Sequence, residues 1–344
     1  MITLGIETSC DETSVAILKG NRTILSNVVF SSLKEHEPYG GVVPEIASRA
    51  HLEAILPTLD GALKKAKISL KDIDLIAVTQ GPGLMGSLLV GASAAKALSL
   101  ALNKPLIGVN HVIAHIYAGV MGDSRLRFPF LGLAVSGGHT LILRMDGPGR
   151  VKILGRTIDD AAGEAFDKVA KILGLRYPGG PEIDRLAKCQ DPDQISFSRP
   201  YLSKESLNFS FSGIKTAVFY KVQSLIKKKK PLGLQMKKQI SAGFQEAVCD
   251  VLVEKALRAA KQEGLKSLVV GGGVSANSRL RKKFQDSAKK DKLKVIFSAM
   301  FLCQDNAAMI AGLGKALYCE GKRGSLDLSS YSEMSYAWEK KSRT

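Results

Sequence analysis

The sequence lacks several features that would assign it at once to a common class of protein. Its five cysteines are dispersed, and no two of them form a C-x-x-C pair (Cys10, Cys189, Cys249, Cys303 and Cys319). We therefore expect free thiols in a reducing compartment, and neither a disulfide framework nor a cysteine-held zinc site. No apolar run approaches the roughly 18 residues that a membrane-spanning helix needs. Residues 2–6 resemble a strand, not the basic and apolar segments of a signal peptide. A cytoplasmic protein without a membrane partner is expected.

Three catalytic signatures are also missing. The sequence contains neither the G-x-x-x-x-G-K-[ST] of a phosphate-binding loop nor the G-x-G-x-x-G of a dinucleotide fold. The H-E-x-x-H of zinc proteases is absent as well, because Val112 stands where the general-base glutamate would follow His111. These absences disfavour three frequent enzyme classes.

Acidic residues are scarce relative to basic ones. The chain has 49 Lys and Arg against 32 Asp and Glu, which gives a formal charge of +17. Lysines cluster at residues 227–230, 237–238, 282–283 and 289–294. A polyanionic partner, with nucleic acid as the leading candidate, is one explanation of this excess. A solvated lysine-rich surface is the other.

Two histidines follow a short apolar run in residues 105–109. If the stretch after that run is helical, the i,i+4 spacing of His111 and His115 stacks both imidazoles on one face. Imidazole pairs of this kind suit zinc or iron, and Asp305 is the best candidate for a third ligand. The alternative is that His111 caps the helix and His115 is a hydrogen-bonded core residue.

The order of apolar segments predicts an internal duplication. Strand patterns at residues 2–7, 14–19 and 23–30 are followed by alternating helices and strands up to residue 110, and a similar series starts at Phe130. This pattern predicts an α/β, two-lobed, actin-like fold, a duplicated ribonuclease H-like (ASKHA) architecture with a cleft between the lobes. We place the N-terminal lobe with the histidine pair at residues 1–125. The C-terminal lobe covers residues 126–344, with a helical insertion at about 160–265 and a last helix that is a candidate to pack on the first lobe.

Polar turns at the strand ends are the candidate ligand sites. Glu7, Asp11 and Glu12 crowd the first hairpin, where a cation or ligand would relieve their repulsion. The turn at Ser136–Gly138 and the three glycines at 271–273 allow close backbone approach to an anion, the latter just before a helix N-terminus.

Taken together, these motifs resemble one family, the bacterial tRNA N6-adenosine threonylcarbamoyltransferases (TsaD). The matching stretches occur in family order over nearly the whole chain. They are GIETSCDETS at 5–14, QGPG at 80–83, HVIAH at 111–115, VSGGHT at 135–140, YPGGP at 177–181, FSFSGIKT at 209–216, GGGVSAN at 271–277 and DNAAMI at 305–310.

The resemblance implies transfer of a threonylcarbamoyl group from threonylcarbamoyl-AMP to N6 of adenosine 37 in tRNAs that read codons beginning with A. It implies one metal ion, iron with zinc as the alternative, held by His111, His115 and Asp305. Implied partners are tRNA, a TsaB-like paralogue and a TsaE-like ATPase. The implied substrate-binding residues are Ala134, Val135, Ser136, Gly137, Gly138, Asp167, Gly180, Asp184 and Asn277. We assign Asp11 or Glu12 an acid/base or orienting role in catalysis.

Two departures from the family pattern lie beside the implied metal ligands. Ile113 stands where many relatives have Glu, and Gln304 replaces the usual Thr before Asp305. Neither change removes a ligand, but both alter the surroundings of the metal. A non-catalytic actin-like scaffold and a metalloprotease-like protein are the alternative functions. The presence of all three ligands favours the enzyme over the scaffold.

Overall fold

The ten strands of the computed structural model form two five-stranded sheets. The model describes residues 1–200, 205–227 and 232–333. The chain divides into two units: the first contains Met1–Leu126, Asp146–Val151 and the described part of Ser298–Thr344, and the second contains Arg127–Met145 and the described part of Lys152–Phe297.

The first sheet is built from strands β1 to β5. Their bounds are β1 Ile2–Glu7, β2 Glu12–Lys19, β3 Thr23–Ser31, β4 Leu75–Gly81 and β5 Leu106–Asn110. The spatial order is β3-β2-β1-β4-β5, with β1 antiparallel to β2 and parallel to β4. β1 and β4 are almost wholly buried, as expected for central strands that are covered on both faces.

The second sheet repeats this topology. Its strands are β6 Phe130–Val135, β7 Thr140–Gly147, β8 Arg150–Arg156, β9 Ser267–Gly271 and β10 Lys294–Phe297. The order β8-β7-β6-β9-β10 again places the third, second, first, fourth and fifth strands side by side. β6 is antiparallel to β7 and parallel to β9, as β1 is to β2 and β4. The predicted duplicated α/β fold is confirmed.

Ten helices accompany the two sheets in the described residues. Those of the first unit are α1 Leu33–His36, α2 Pro44–Ala66, α3 Met85–Leu102, α4 His111–Gly122 and α10 Ala307–Cys319; those of the second are α5 Ala162–Ile172, α6 Gly179–Ala187, α7 Ser212–Lys227, α8 Leu234–Gln262 and α9 Ser278–Asp291. α6 begins at Gly179, which has no side chain and therefore lets the helix lie directly against Asp167 and Ala170 of α5.

α10 comes from the end of the chain but packs on the first sheet. Gly5 of β1 leaves room for the backbone of α10, since a Cβ there would overlap the Ala307 carbonyl oxygen. Gly314 similarly lets α10 approach Ala77 of β4. This packing carries Asp305, two residues before α10, to the edge of the first sheet.

A C-terminal strap, residues 324–333, continues along the same sheet. The Tyr331 N–H donates to the Gln80 carbonyl at 3.1 Å, and the Gln80 side chain donates to the Ser329 carbonyl at 2.9 Å. The Asn110 side-chain amide donates to the Tyr331 hydroxyl at 3.1 Å. The strap therefore contacts the N-cap residue of α4.

α3 corrects one expectation from the sequence. It is long and apolar enough to cross a membrane by length and composition alone, a test that core helices of other proteins also pass. Its alanines, glycines and serines, rather than a run of large apolar residues, hid this property. In the structure Gly91 of α3 packs against the Thr8 side chain and Leu88 is fully buried, so one face belongs to the core of the first unit.

Candidate metal centre

α4 places two imidazoles next to each other. The Asn110 side chain caps the helix by accepting a hydrogen bond from the Ile113 N–H at 3.0 Å, so His111 is the first helical residue. His115 follows one turn later, and the two ring centroids are 4.6 Å apart. Both rings are buried, with 5% and 1% exposure. Asn110 performs the capping role that the alternative interpretation gave to His111.

Asp305 meets both imidazoles. Its Oδ1 lies 3.0 Å from His115 Nε2 and 3.4 Å from His111 Nε2. The next residue, Asn306, caps α10 by accepting from the Met309 N–H at 3.1 Å, which fixes the turn that carries Asp305. The packing of α10 on β1 thus brings together residues 190 positions apart in the chain.

The geometry of these three side chains fits a metal ion. Two ligand atoms bonded to one ion at about 2.1 Å, with bond angles of about 90–110°, lie roughly 3.0–3.4 Å apart. Those are the two separations between Asp305 Oδ1 and the imidazole nitrogens, and all three ligand atoms lie within 4.8 Å of one another. Two imidazoles and one carboxylate leave coordination positions open for a substrate. The sequence prediction of this ligand set is consistent with the structure.

A buried carboxylate adjoins the centre. Glu7 is fully buried and its Oε2 lies 2.9 Å from His111 Nδ1. Burial would raise the pKa of Glu7, but the charge and hydrogen bond of His111 outweigh it and lower the pKa. Burial would lower the pKa of His111, whereas the carboxylates of Asp305 and Glu7 raise it to about 9. The metal-free centre therefore holds His111 as an imidazolium between two carboxylates.

Asp11 and Glu12 also lie close to the centre. Burial raises the pKa of Glu12 well above its ordinary value, and the charges of Asp305 and Asp11 raise it further. The two side chains share a hydrogen bond. Burial, followed by the charges of Asp11 and Asp305, also raises the pKa of the Cys10 thiol. The first hairpin is thus an acidic region in which burial and the neighbouring carboxylates favour the protonated form of Glu12.

The residues implied to bind substrate lie in the second unit. The β6–β7 hairpin is closed by the Ser136 N–H, which donates to the His139 carbonyl at 2.8 Å. Ala134 and Val135 are buried in β6, whereas Gly137 and Gly138 are exposed. The Gly163 N–H at the start of α5 donates to the Ser136 carbonyl at 3.1 Å, so the hairpin adjoins a helix N-terminus. Such a place suits an anion.

The other residues implied to bind substrate also make hydrogen bonds that hold helices of the second unit in place. The Asp167 carboxylate accepts from the Gly179 N–H at 2.7 Å, next to Gly180 in the first turn of α6. Asp184 accepts from the Ser278 hydroxyl at 2.8 Å, which ties α6 to the start of α9. Asn277 caps α9 by accepting from the Leu280 N–H at 3.0 Å. These contacts gather the set where β6, β9, α5, α6 and α9 begin or end.

Sequence reasoning missed part of the centre. It noted Glu7 as one of three crowded acids but assigned it no role, and it did not identify Thr79, whose hydroxyl donates to Glu7 Oε2 at 2.6 Å. A signal was present, because an ionisable residue that ends an otherwise apolar strand needs a buried partner.

A model of the family TsaD, tRNA N6-adenosine threonylcarbamoyltransferase, matches residues 23–312. The tRNA N6-adenosine threonylcarbamoyltransferase of Thermosipho africanus is 53% identical over 321 residues, 93% of this chain and 96% of that protein. That of Dictyoglomus turgidum is 52% identical over 330 residues, 96% of this chain and 97% of that protein.

Two solved structures share the fold at low identity. HypF of T. kodakarensis matches with a TM-score of 0.61 at 16% identity, over 93% of this chain and 48% of that one. Component A of the (R)-2-hydroxyglutaryl-CoA dehydratase of Acidaminococcus fermentans matches with a TM-score of 0.54 at 15% identity, over 94% and 100%.

Proposed function

The chain belongs to the tRNA N6-adenosine threonylcarbamoyltransferase family, and on that basis we propose that it transfers a threonylcarbamoyl group from threonylcarbamoyl-AMP to N6 of adenosine 37 in tRNAs reading codons that begin with A. AMP is the leaving group. The observation that carries the proposal is the meeting of His111, His115 and Asp305 in a member of this family. A scaffold has no need of this ligand set, and a zinc protease would need a glutamate where Val112 stands.

His111, His115 and Asp305 would hold one iron ion, with zinc as the alternative. The bound ion would supply a Lewis acid that polarises a carbonyl oxygen of the donor. The two Nε2 atoms and the Asp305 carboxylate define one side of the site, and the acidic first hairpin adjoins it. Ile113 and Gln304 replace residues that many relatives have beside these ligands.

Asp11 and Glu12 would divide the proton chemistry between them. The adenosine N6 amine must lose a proton as it attacks the carbamoyl carbon. The raised pKa of Glu12 favours its protonated form, which is suited to donate a hydrogen bond to a substrate oxygen. Asp11 is then the candidate acceptor of the N6 proton. AMP is a stable leaving group, so no covalent nucleophile is needed.

The second unit would bind the adenylate. The exposed backbone at Gly137 and Gly138, beside the N-terminus of α5, suits the phosphate. Asp167, Gly180, Asp184 and Asn277 lie around the starts of α6 and α9 and would contact the nucleoside. We retain the two-lobed assignment at residues 1–125 and 126–344 as part of this proposal, with the last helix, α10, packed on the first lobe.

The excess of basic residues would bind the phosphate backbone of the tRNA. Phosphates of the anticodon stem would contact surface lysines such as Lys282 and Lys289, which are exposed on α9. Lys283 of the same cluster instead pairs with Glu246 and Asp250, so it serves the fold. Residues 228–230 of another predicted lysine cluster lie outside the described residues. The anticodon loop is single-stranded and presents its base at small unstacking cost.

Partner subunits would bind the first unit in a cytoplasmic complex. A TsaB-like paralogue and a TsaE-like ATPase are the expected partners. α2 exposes Leu52 and Leu56, one turn apart and 68% and 69% exposed, and α3 exposes Leu89 at 52%. Large apolar side chains at helical spacing are typical of a helix face that packs on a partner.

One assay tests the reaction. The purified chain, with and without its presumed partners, is incubated with threonylcarbamoyl-AMP, iron or zinc and unmodified tRNA, and the nucleosides are analysed by mass spectrometry. We expect a threonylcarbamoyl-adenosine peak that disappears with His111→Ala. If the complete mixture gives no product, the scaffold function replaces the enzyme.

A further inference from the structure

The carboxylate of Glu7 has both oxygens engaged in the interior of the first unit. Its Oε1 accepts from the Ser9 N–H at 2.6 Å. Its Oε2 accepts from the Thr79 hydroxyl at 2.6 Å and faces His111 Nδ1 at 2.9 Å. Glu7 ends β1 and Thr79 lies in the neighbouring strand β4, so the sheet itself fixes the carboxylate.

This contact determines which nitrogen of His111 can bind a metal ion. An ionised carboxylate only accepts hydrogen bonds, so the proton of His111 must lie on Nδ1. In the neutral ring that binds a metal ion, the lone pair is then on Nε2, the atom 3.4 Å from Asp305 Oδ1. His115 has no such support, because its buried Nδ1 lacks a hydrogen-bond partner within the described residues.

We propose that Glu7 is a positioning residue of the metal centre: it fixes the tautomer and the ring orientation of His111. The inference rests on the metal centre of the proposed function and assigns a role to a residue outside the ligand set. Thr79 and Ser9 hold the carboxylate in turn. A carboxylate that orients a metal-bound histidine commonly raises metal affinity 10–100-fold.

Metal binding by the full chain tests the proposal without reference to catalysis. The metal-stripped protein is titrated with Co(II) against a competing chelator. Glu7→Gln keeps the size of the side chain but turns one end into a donor, which then faces the Ser9 N–H or the His111 Nδ1–H. We expect Co(II) affinity to fall 10–100-fold. Thr79→Val removes one support of the carboxylate and should give a smaller loss.

Thr3→Val is the matched control. Thr3 lies on the same face of β1, four residues before Glu7, and its buried hydroxyl has no partner within the described residues. This change should leave Co(II) affinity as in the wild type. A folded Glu7→Gln chain with wild-type affinity would overturn the proposal, as would an equal loss in Thr3→Val.

A second measurement needs no variant and decides the case if Glu7→Gln does not fold. Nitrogen-15 spectra of the histidines in the Zn(II)-bound wild-type chain should show His111 protonated at Nδ1 and metal-bound at Nε2. Metal bonding through Nδ1 would refute the positioning role. The transferase assay is separate: a chain that passes these tests but forms no product would refute the proposed reaction and leave the role of Glu7 intact.

Discussion

Metal binding to this chain should depend steeply on pH. In the metal-free protein the carboxylates of Asp305 and Glu7 raise the pKa of His111 to about 9 against the effect of burial. A metal ion must displace the proton on His111 Nε2, since ligands bind in their deprotonated form. Because this pKa lies above neutral pH, the proton is present in most metal-free molecules at pH 7.

The pKa of His111 sets the expected change of Co(II) affinity with pH. Between pH 6.5 and 8.5 the apparent Co(II) affinity should rise about tenfold per pH unit through His111 alone. The assay is chelator competition at several pH values. It is combined with calorimetry in two buffers of different ionisation enthalpy, which counts the protons released. At least one proton should be released for each Co(II) bound at pH 7.5.

The matched variant is Glu7→Gln. It removes one of the two carboxylates that raise the pKa of His111, so the steep part of the pH profile should move to lower pH. A wild-type affinity that is flat from pH 7 to 8.5, or binding without proton release, would refute the description of His111 as an imidazolium.

Four further outcomes are expected. The contribution of His111 to the stability of the metal-free chain should be fully present below about pH 6.5 and should fall by roughly 3 kcal/mol at most as pH rises through about 9, because the folded pKa of His111 lies above the unfolded one. Urea midpoints measured across this pH range test the loss. Lys255→Met should lower the free energy of unfolding by about 1–3 kcal/mol, because the fully buried Lys255 donates a hydrogen bond to the Asn208 carbonyl. In the same assay, Lys266→Met at the surface should lower it by less than about 0.5 kcal/mol. Gly5→Ala should lower the free energy of unfolding by about 1–3 kcal/mol and weaken Co(II) binding, because the added Cβ displaces α10. Gly61→Ala, where a Cβ meets only an ordinary contact, should leave Co(II) binding unchanged. Affinity for tRNA should fall at least tenfold between about 50 and 200 mM salt, and an anisotropy titration insensitive to salt would contradict phosphate binding.

The sequence predicted the elements of the fold better than their packing. Mainly apolar runs between polar turns predict strands such as β1 and β4. The spacing of His111 and His115 predicts that they share one face of a helix. The approach of α10 to β1 at Gly5 depends on contacts between distant parts of the chain, which no local pattern encodes.

The same limit applies to individual side chains. Asn277 lies in a glycine-rich motif that resembles a ligand site, yet its amide also caps α9 and donates to the Gln245 side chain at 2.7 Å. Lys255 is indistinguishable in sequence from the surface lysines, but it is fully buried. Only the three-dimensional packing separates these roles.

The long separation between the ligands has a consequence for synthesis of the protein on the ribosome. His111 and His115 are translated when about a third of the chain has been made, whereas Asp305 is 190 residues further on from His115. The segment that reaches Asn110, the strap with Tyr331, is made later still. For most of its translation, a nascent chain thus contains His111, His115 and the Glu7 carboxylate but not yet Asp305. We therefore expect that ribosome-bound chains truncated before Asp305 do not retain metal.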